Sequence, residues 1–261
     1  MRYENLSETV SVKTISENER EGVFEIEGLY AGYGTTIGNS LRRALFSSLP
    51  GAAITQVKVK GISHEFSTIP GVVEDAVEIM LNLKLVRFRI HTAEPQILTL
   101  THEGEGEVTA AEIKTNSQIE LITPDIRIAT VSEKNAVFDI ELTIERGLGY
   151  VPAEERHAEK LPIGVIALDA IFSPVTKVNF SVENMRVGDR TDYNRLKMAI
   201  ETDGSITPSQ AMKYAAGVLQ EHFAKVGMVE VITPKPVQEE ENEKKPVKKK
   251  TTKKSAKKKE E

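Results

Sequence analysis

The chain has 261 residues and a net charge of -5, with 34 Lys and Arg against 39 Asp and Glu, and 39% of it is hydrophobic, a balance that suits a folded protein with a sizeable core. Ten lysines and no acid fall between Lys244 and Lys259, so without those ten positive charges the remainder carries -15, which disfavours nucleic-acid binding by the body while leaving a basic tail that attracts polyanions. The absence of Cys excludes disulfides, thiolate nucleophiles and Cys-ligated metal centres, and no uncharged run exceeds 14 residues, too short for a membrane-spanning helix.

In chain order, Val23 to Glu27 is β-branched and aromatic and predicts a strand, which runs into a sharp turn marked by Gly28, Gly32 and Gly34. From Thr36 the period changes. Ile37, Leu41, Ala44, Leu45 and Leu49 share one helical face until Pro50-Gly51 stops it, and Arg42 and Arg43 fall off that stripe. Ala53, Thr55, Val57 and Val59 alternate with their neighbours, predicting a half-buried strand. A second helix is expected from Pro70, with Val72, Ala76, Ile79, Met80 and Leu83 on its stripe and Lys84 at its end. Val86 to Glu145 is strand-like, and its clearest member carries Phe138, Ile140, Leu142 and Ile144 on one face. A Gly-rich turn, Arg146 to Tyr150, leads to a polar loop over Ala153 to Lys160, the apolar run Ile163 to Phe172, and alternating strands around Val178 to Val182 and Leu196 to Ile200. Thr207-Pro208-Ser209-Gln210 is a capping box with Pro at the first helical position, and Ala211, Ala215, Val218, Leu219, His222 and Val226 line one face of the helix it starts. Gln238 to Glu261 is too polar to offset its ordering entropy by burial and is expected to be disordered.

The residues alone point to no catalytic centre. The five histidines are scattered, and His64-Glu65 lacks the second His that a zinc motif needs, since Thr68 stands there. Gly32, Gly34 and Gly38 miss the dinucleotide spacing by one residue, and no serine has a nucleophile context. Asp169 is the only acid in its apolar run, consistent with a hydrogen-bonded carboxylate. Arg42 and Arg43 fit either a solvated face or a protein-protein anchor, because Arg is enriched among interface hot spots.

Gly32-Tyr33-Gly34-Thr35-Thr36-Ile37-Gly38-Asn39-Ser40-Leu41-Arg42-Arg43-Ala44-Leu45 resembles the amino-terminal domain of the bacterial RNA polymerase alpha subunit. His64 to Thr68, Leu81 to Lys84, Glu145 to Ala153, Ser173 to Val175, Asn179 to Arg186, Arg190 to Asp192 and Glu201 to Gly204 resemble it in the family's order, so the likeness covers Val10 to Val231. The resemblance implies an α+β fold of two lobes. A discontinuous dimerisation lobe is built from residues 1-51 and 177-232, a mainly-β lobe spanning 52-176 is inserted in it, and 233-261 is a disordered Glu/Lys-rich tail.

It also implies a homodimer that acts as the assembly platform for the β and β' subunits of DNA-directed RNA polymerase, a non-catalytic subunit of a nucleotidyltransferase with no cofactor or metal of its own. Matched by motif, Arg42, Arg43 and Phe46 correspond to the family's β-contacting helix, Lys84 to a lysine at the large-subunit surface, and Leu168 and Asp169 to a stretch near β'. Tyr33, Ile37, Leu41, Leu45, Ala211, Ala215, Val218, Leu219, His222 and Val226 correspond to the dimer interface, where small residues permit close helix approach. DNA would be met only within the holoenzyme or weakly through the Lys-rich tail, and a cytoplasmic, nucleoid-associated location with no membrane contact is expected. Two departures stand out: Gly28-Leu29-Tyr30 replaces the Pro-Leu usual before the Gly-Tyr-Gly segment, and the family's carboxy-terminal DNA-binding domain is not expected after Pro234. The alternative is a stand-alone DNA-binding or protein-interaction scaffold outside the polymerase.

Overall fold

A computed structural model of the chain describes residues 8–62, 64–156, 162 and 164–229. The expectations for 1–7, for 230–261 including the tail, for His157 to Lys160 of the polar loop and for Ile163 at the start of the apolar run lie outside the described residues. In order, the elements are β1 (Ser11–Glu17), β2 (Glu21–Leu29), α1 (Tyr33–Ser47), β3 (Pro50–Val59), α2 (Ala76–Leu83), β4 (Phe88–Ile90), β5 (Gln96–Glu103), β6 (Gly106–Thr109), a 3-10 turn (Ala110–Glu112), β7 (Ile113–Lys114), β8 (Ile119–Leu121), β9 (Arg127–Val131), β10 (Val137–Leu148), β11 (Tyr150–Val151), α3 (Ala153–Arg156), β12 (Val165–Ala167), β13 (Ala170–Ile171), β14 (Val175–Val187), β15 (Arg190–Thr202) and α4 (Pro208–Val226). The mixed α+β class is as expected.

Two hydrophobic cores form. The first lies under an antiparallel sheet of order β1-β2-β15-β14. Phe24 and Ile26 of β2 and Leu196, Met198 and Ile200 of β15 project to one face, as period-2 alternation requires. There they meet Leu41, Ala44 and Leu45 of α1 and Ala211 and Ala215 of α4. The second core belongs to a seven-stranded sheet of order β7-β5-β10-β3-β4-β8, with β12 added beside β3, and Leu100, Phe138, Ile140 and Leu142 are among its fully buried members. The chain passes from the first core to the second between Leu49 and Ala52, and returns between Leu168 and Val175.

Several local expectations are corrected. Helix α1 begins at Tyr33 rather than Thr36, so Gly34 is helical and the turn is carried by Gly28 and Gly32, with φ of 73° and 84°. Helix α2 is only eight residues long: Pro70 to Asp75 is not helical, because the Asp75 side chain accepts from Glu78 N and caps the helix there. Strand β3 is not half-buried at its start, since Ala52, Ala53, Ile54 and Thr55 are all buried. Ala53 packs against Ala170 and Phe172 on the far side of the sheet. The Gly-rich segment after Glu145 is no turn until Gly149, because β10 continues to Leu148. Its glycine serves close approach: a Cβ on Gly147 would sit 2.6 Å from the Phe172 ring, and one on Gly51 would sit 1.8 Å from the Phe172 carbonyl oxygen. Strand β1 carries no burial signal, as all seven of its residues are exposed, and the sequence did not point to it.

Candidate functional site

The residues expected to meet other subunits fall on the two cores separately. On the first, Gly32 caps α1 with no side chain to receive the first free amides. Asn194 of β15 supplies the acceptor instead: its buried Oδ1 takes Gly32 N at 2.8 Å and Gly34 N at 3.3 Å, while its Nδ2 donates to Asn184 Oδ1 at 3.2 Å. Gly34 and Gly38 let the helix lie directly on the sheet, since a Cβ on Gly38 would meet the Phe180 ring at 2.8 Å. With one face so engaged, Arg42, Arg43 and Phe46 are exposed on the other. The two arginines then differ. Arg42 lies over the Phe180 ring, 5.4 Å from its centroid, and donates to Asn39 Oδ1 at 3.2 Å. The Arg43 guanidinium makes no hydrogen bond or ion pair with the described residues, so it keeps its planar fork for an external acceptor.

The ten residues expected at a dimer interface divide by depth. Leu41, Leu45, Ala211 and Ala215 are buried within the chain's own core, so the two small alanines already serve the packing of α4 inside the protomer. Ile37, Val218 and Leu219 are half-buried, and Tyr33, His222 and Val226 are exposed. His222 Nδ1 donates to the Val218 carbonyl at 2.7 Å. Phe223, Met228 and Val229 prolong this exposed apolar surface.

On the second core, Lys84 and Asp169, 85 residues apart, meet in an ion pair with Lys84 Nζ 2.8 Å from Asp169 Oδ2. Lys84 caps the end of α2, and Asp169 follows β12, which adds beside β3. The second carboxylate oxygen accepts from Ala153 N at 2.9 Å. Hydrogen bonding from Lys84, helped by the Ala153 amide and opposed by burial, holds the Asp169 carboxyl below its ordinary value of 3.8. Leu168 is buried in the second core, with its amide donating to Thr55 O at 2.9 Å.

Beside this pair opens a groove of about 310 Å³ whose lining includes Phe66, Val77, Leu81 and Val165. Phe66 is 79% exposed and Leu81 57%, large apolar areas to leave in water. None of these four stood among the expected contacts. A signal was present for two of them: Val77 and Leu81 lie at i and i+4, an apolar pair off the stripe that fills the core.

Among the described residues no three His, Asp or Glu side chains are disposed to hold a metal, and no helix is long and apolar enough to cross a membrane. The groups left available are a free guanidinium beside the first core and, on the second, a half-buried bridged lysine next to exposed apolar side chains.

Residues 57–173 match the family model described as the RNA polymerase Rpb3/RpoA insert domain. Among similar proteins, the DNA-directed RNA polymerase subunit alpha of Symbiobacterium thermophilum is 48% identical over 214 residues, 82% of this chain and 68% of that protein. Those of Alkaliphilus oremlandii and Carboxydothermus hydrogenoformans are each 50% identical, over 82% and 83% of this chain and 67% and 69% of their own lengths.

Proposed function

The chain belongs to the DNA-directed RNA polymerase alpha-subunit family, and from that premise we propose that it is a homodimeric scaffold on which the β and β' subunits assemble for transcription. The observation that carries the reading is identity near one half over more than four fifths of the chain. The chain contributes no catalytic group in this reading; it supplies position, and the nucleotidyl transfer is performed by the large subunits.

Arg43, with Arg42 and Phe46 beside it, engages β. Its support is exposure together with a guanidinium that the described residues leave unused, suited to bidentate pairing with a carboxylate. The Lys84–Asp169 pair and the groove beside it form the second large-subunit surface. The dimer uses the half-buried and exposed part of α4, from Val218 to Val226, meeting its own copy about a two-fold axis. Because identical protomers must receive two different large subunits, β loads first on one protomer, and β' then joins using the other protomer and β. Arg43→Ala is expected to leave the dimer intact while reducing recovery of β in a pull-down; undiminished recovery would refute the assignment.

Weak DNA attraction resides in the Lys244 to Lys259 segment. Deleting residues 244–261 is expected to flatten the dependence of promoter affinity on salt, because each neutralised phosphate contributes to that slope. An unchanged slope removes the tail from DNA contact.

A further inference from the structure

Where the two cores meet, the structure holds a cavity of about 710 Å³. That size falls within the roughly 300–1,000 Å³ typical of small-molecule sites. Its floor is apolar, built from Leu49, Ala52 and Phe88, which are buried, and Ile206. Its walls come from both cores: Arg89, His91 and Arg146 on one side, and the first turns of α4 with Tyr214 on the other.

Two observations make this more than a crevice. The walls are tied together: Arg89 Nε donates to Ser205 O at 2.8 Å and Arg89 Nη2 to Gly204 O at 3.3 Å, while Asp203 holds Ser205 N at 2.9 Å and lies 3.9 Å from Arg87 Nε. The space is therefore preformed, and a ligand need not order it. Its charge also runs against the composition. In a chain whose body is acidic, no carboxylate lines this cavity, whereas two arginines and a histidine do. Arg89 is largely engaged by the two carbonyls and by Glu120. The Arg146 guanidinium and the Tyr214 hydroxyl make no hydrogen bond with the described residues, and both stand at the rim, exposed. The positive end of the α4 dipole adds to the same sign.

We propose that this cavity is a binding site for a small organic anion, an aromatic or aliphatic carboxylate or sulfonate, whose apolar body rests on Leu49, Phe88 and Ile206 and whose charged group meets Arg146 and Tyr214. Such a ligand bridges residues of both cores and so stabilises their relative placement. The proposal does not depend on the subunit reading.

The test uses 1-anilinonaphthalene-8-sulfonate as the probe on the full chain, with binding followed by fluorescence and by the shift in unfolding temperature. Saturable binding near one site per chain is expected. Arg146→Gln should weaken it about tenfold, the scale of a lost charge-assisted hydrogen bond. Because Arg146 is exposed, this variant should fold normally, which circular dichroism checks; Tyr214→Phe should weaken binding less. Equal affinity for the uncharged analogue N-phenyl-1-naphthylamine would overturn the claim of an anion site. Binding unchanged in Arg146→Gln would overturn the location. Loss of binding when the chain joins the other polymerase subunits would assign the cavity to a protein partner instead.

Discussion

At the residue scale, adjacency in sequence says little about what a charged group does. Arg42 and Arg43 are neighbours, yet one lies across Phe180 and the other has no partner among the described residues. The Lys84–Asp169 pair gives the sharpest prediction here. In Lys84→Met the Asp169 carboxyl is expected to titrate closer to its ordinary value of 3.8, measured by the carboxyl carbon shift against pH, because the first cause of its depression is gone. A carboxyl depressed in the folded state contributes stability above its unfolded value, and that contribution disappears as pH falls through the folded one. The pair is partly exposed, so the effect on overall stability is small.

At the element scale, glycines of like appearance do opposite work. Gly38 presses α1 onto Phe180 and Leu196, and Gly38→Ala places a methyl 2.8 Å from the ring. A loss of about 1–3 kcal/mol by urea unfolding is expected, as for overpacking. Gly217 sits mid-helix in α4, where an added methyl would meet nothing within 4 Å, so Gly217→Ala should stabilise by ~0.5–1 kcal/mol in the same assay through helix propensity. The element signals that read correctly were local ones. Thr207 and Gln210 form the capping box that starts α4, and the alternation at Phe138 to Ile144 sets the core face of β10. Two errors came where a distant segment decides: Phe172 covers the far face of β3, and Asn194 supports a helix start 160 residues away, whereas the late start of α2 is local, set by the Asp75 cap.

At the scale of the whole molecule, the two cores are joined by few groups with much consequence. Arg87 and Arg89 reach from the second core to the turn Asp203 to Ser205, whose own geometry Asp203 fixes through Ser205 N and Oγ. Asp203→Ala is expected to raise amide exchange in the Arg87 to Ile90 segment and the Gly204 to Ile206 turn together, leaving the interior of β10 protected. Faster exchange in the turn alone would separate the two sides and show that Asp203 shapes only its own loop. Exchange is the suitable readout because it resolves local opening from global unfolding.

The sequence by itself determined the acidic body and basic tail, the α+β class, the two long helices and the family to which the chain belongs, because charge, periodicity, capping and motif order are properties of neighbours along the chain. The tertiary structure alone decided which of the expected residues are open. It buried Leu41, Leu45, Ala211, Ala215 and Leu168, left Arg43 unpaired among the described residues, joined Lys84 to Asp169, and left an open cavity with Arg146 at its rim between the cores. Exposure and pairing depend on groups brought together from opposite ends of the sequence, and a linear pattern carries no distance between them.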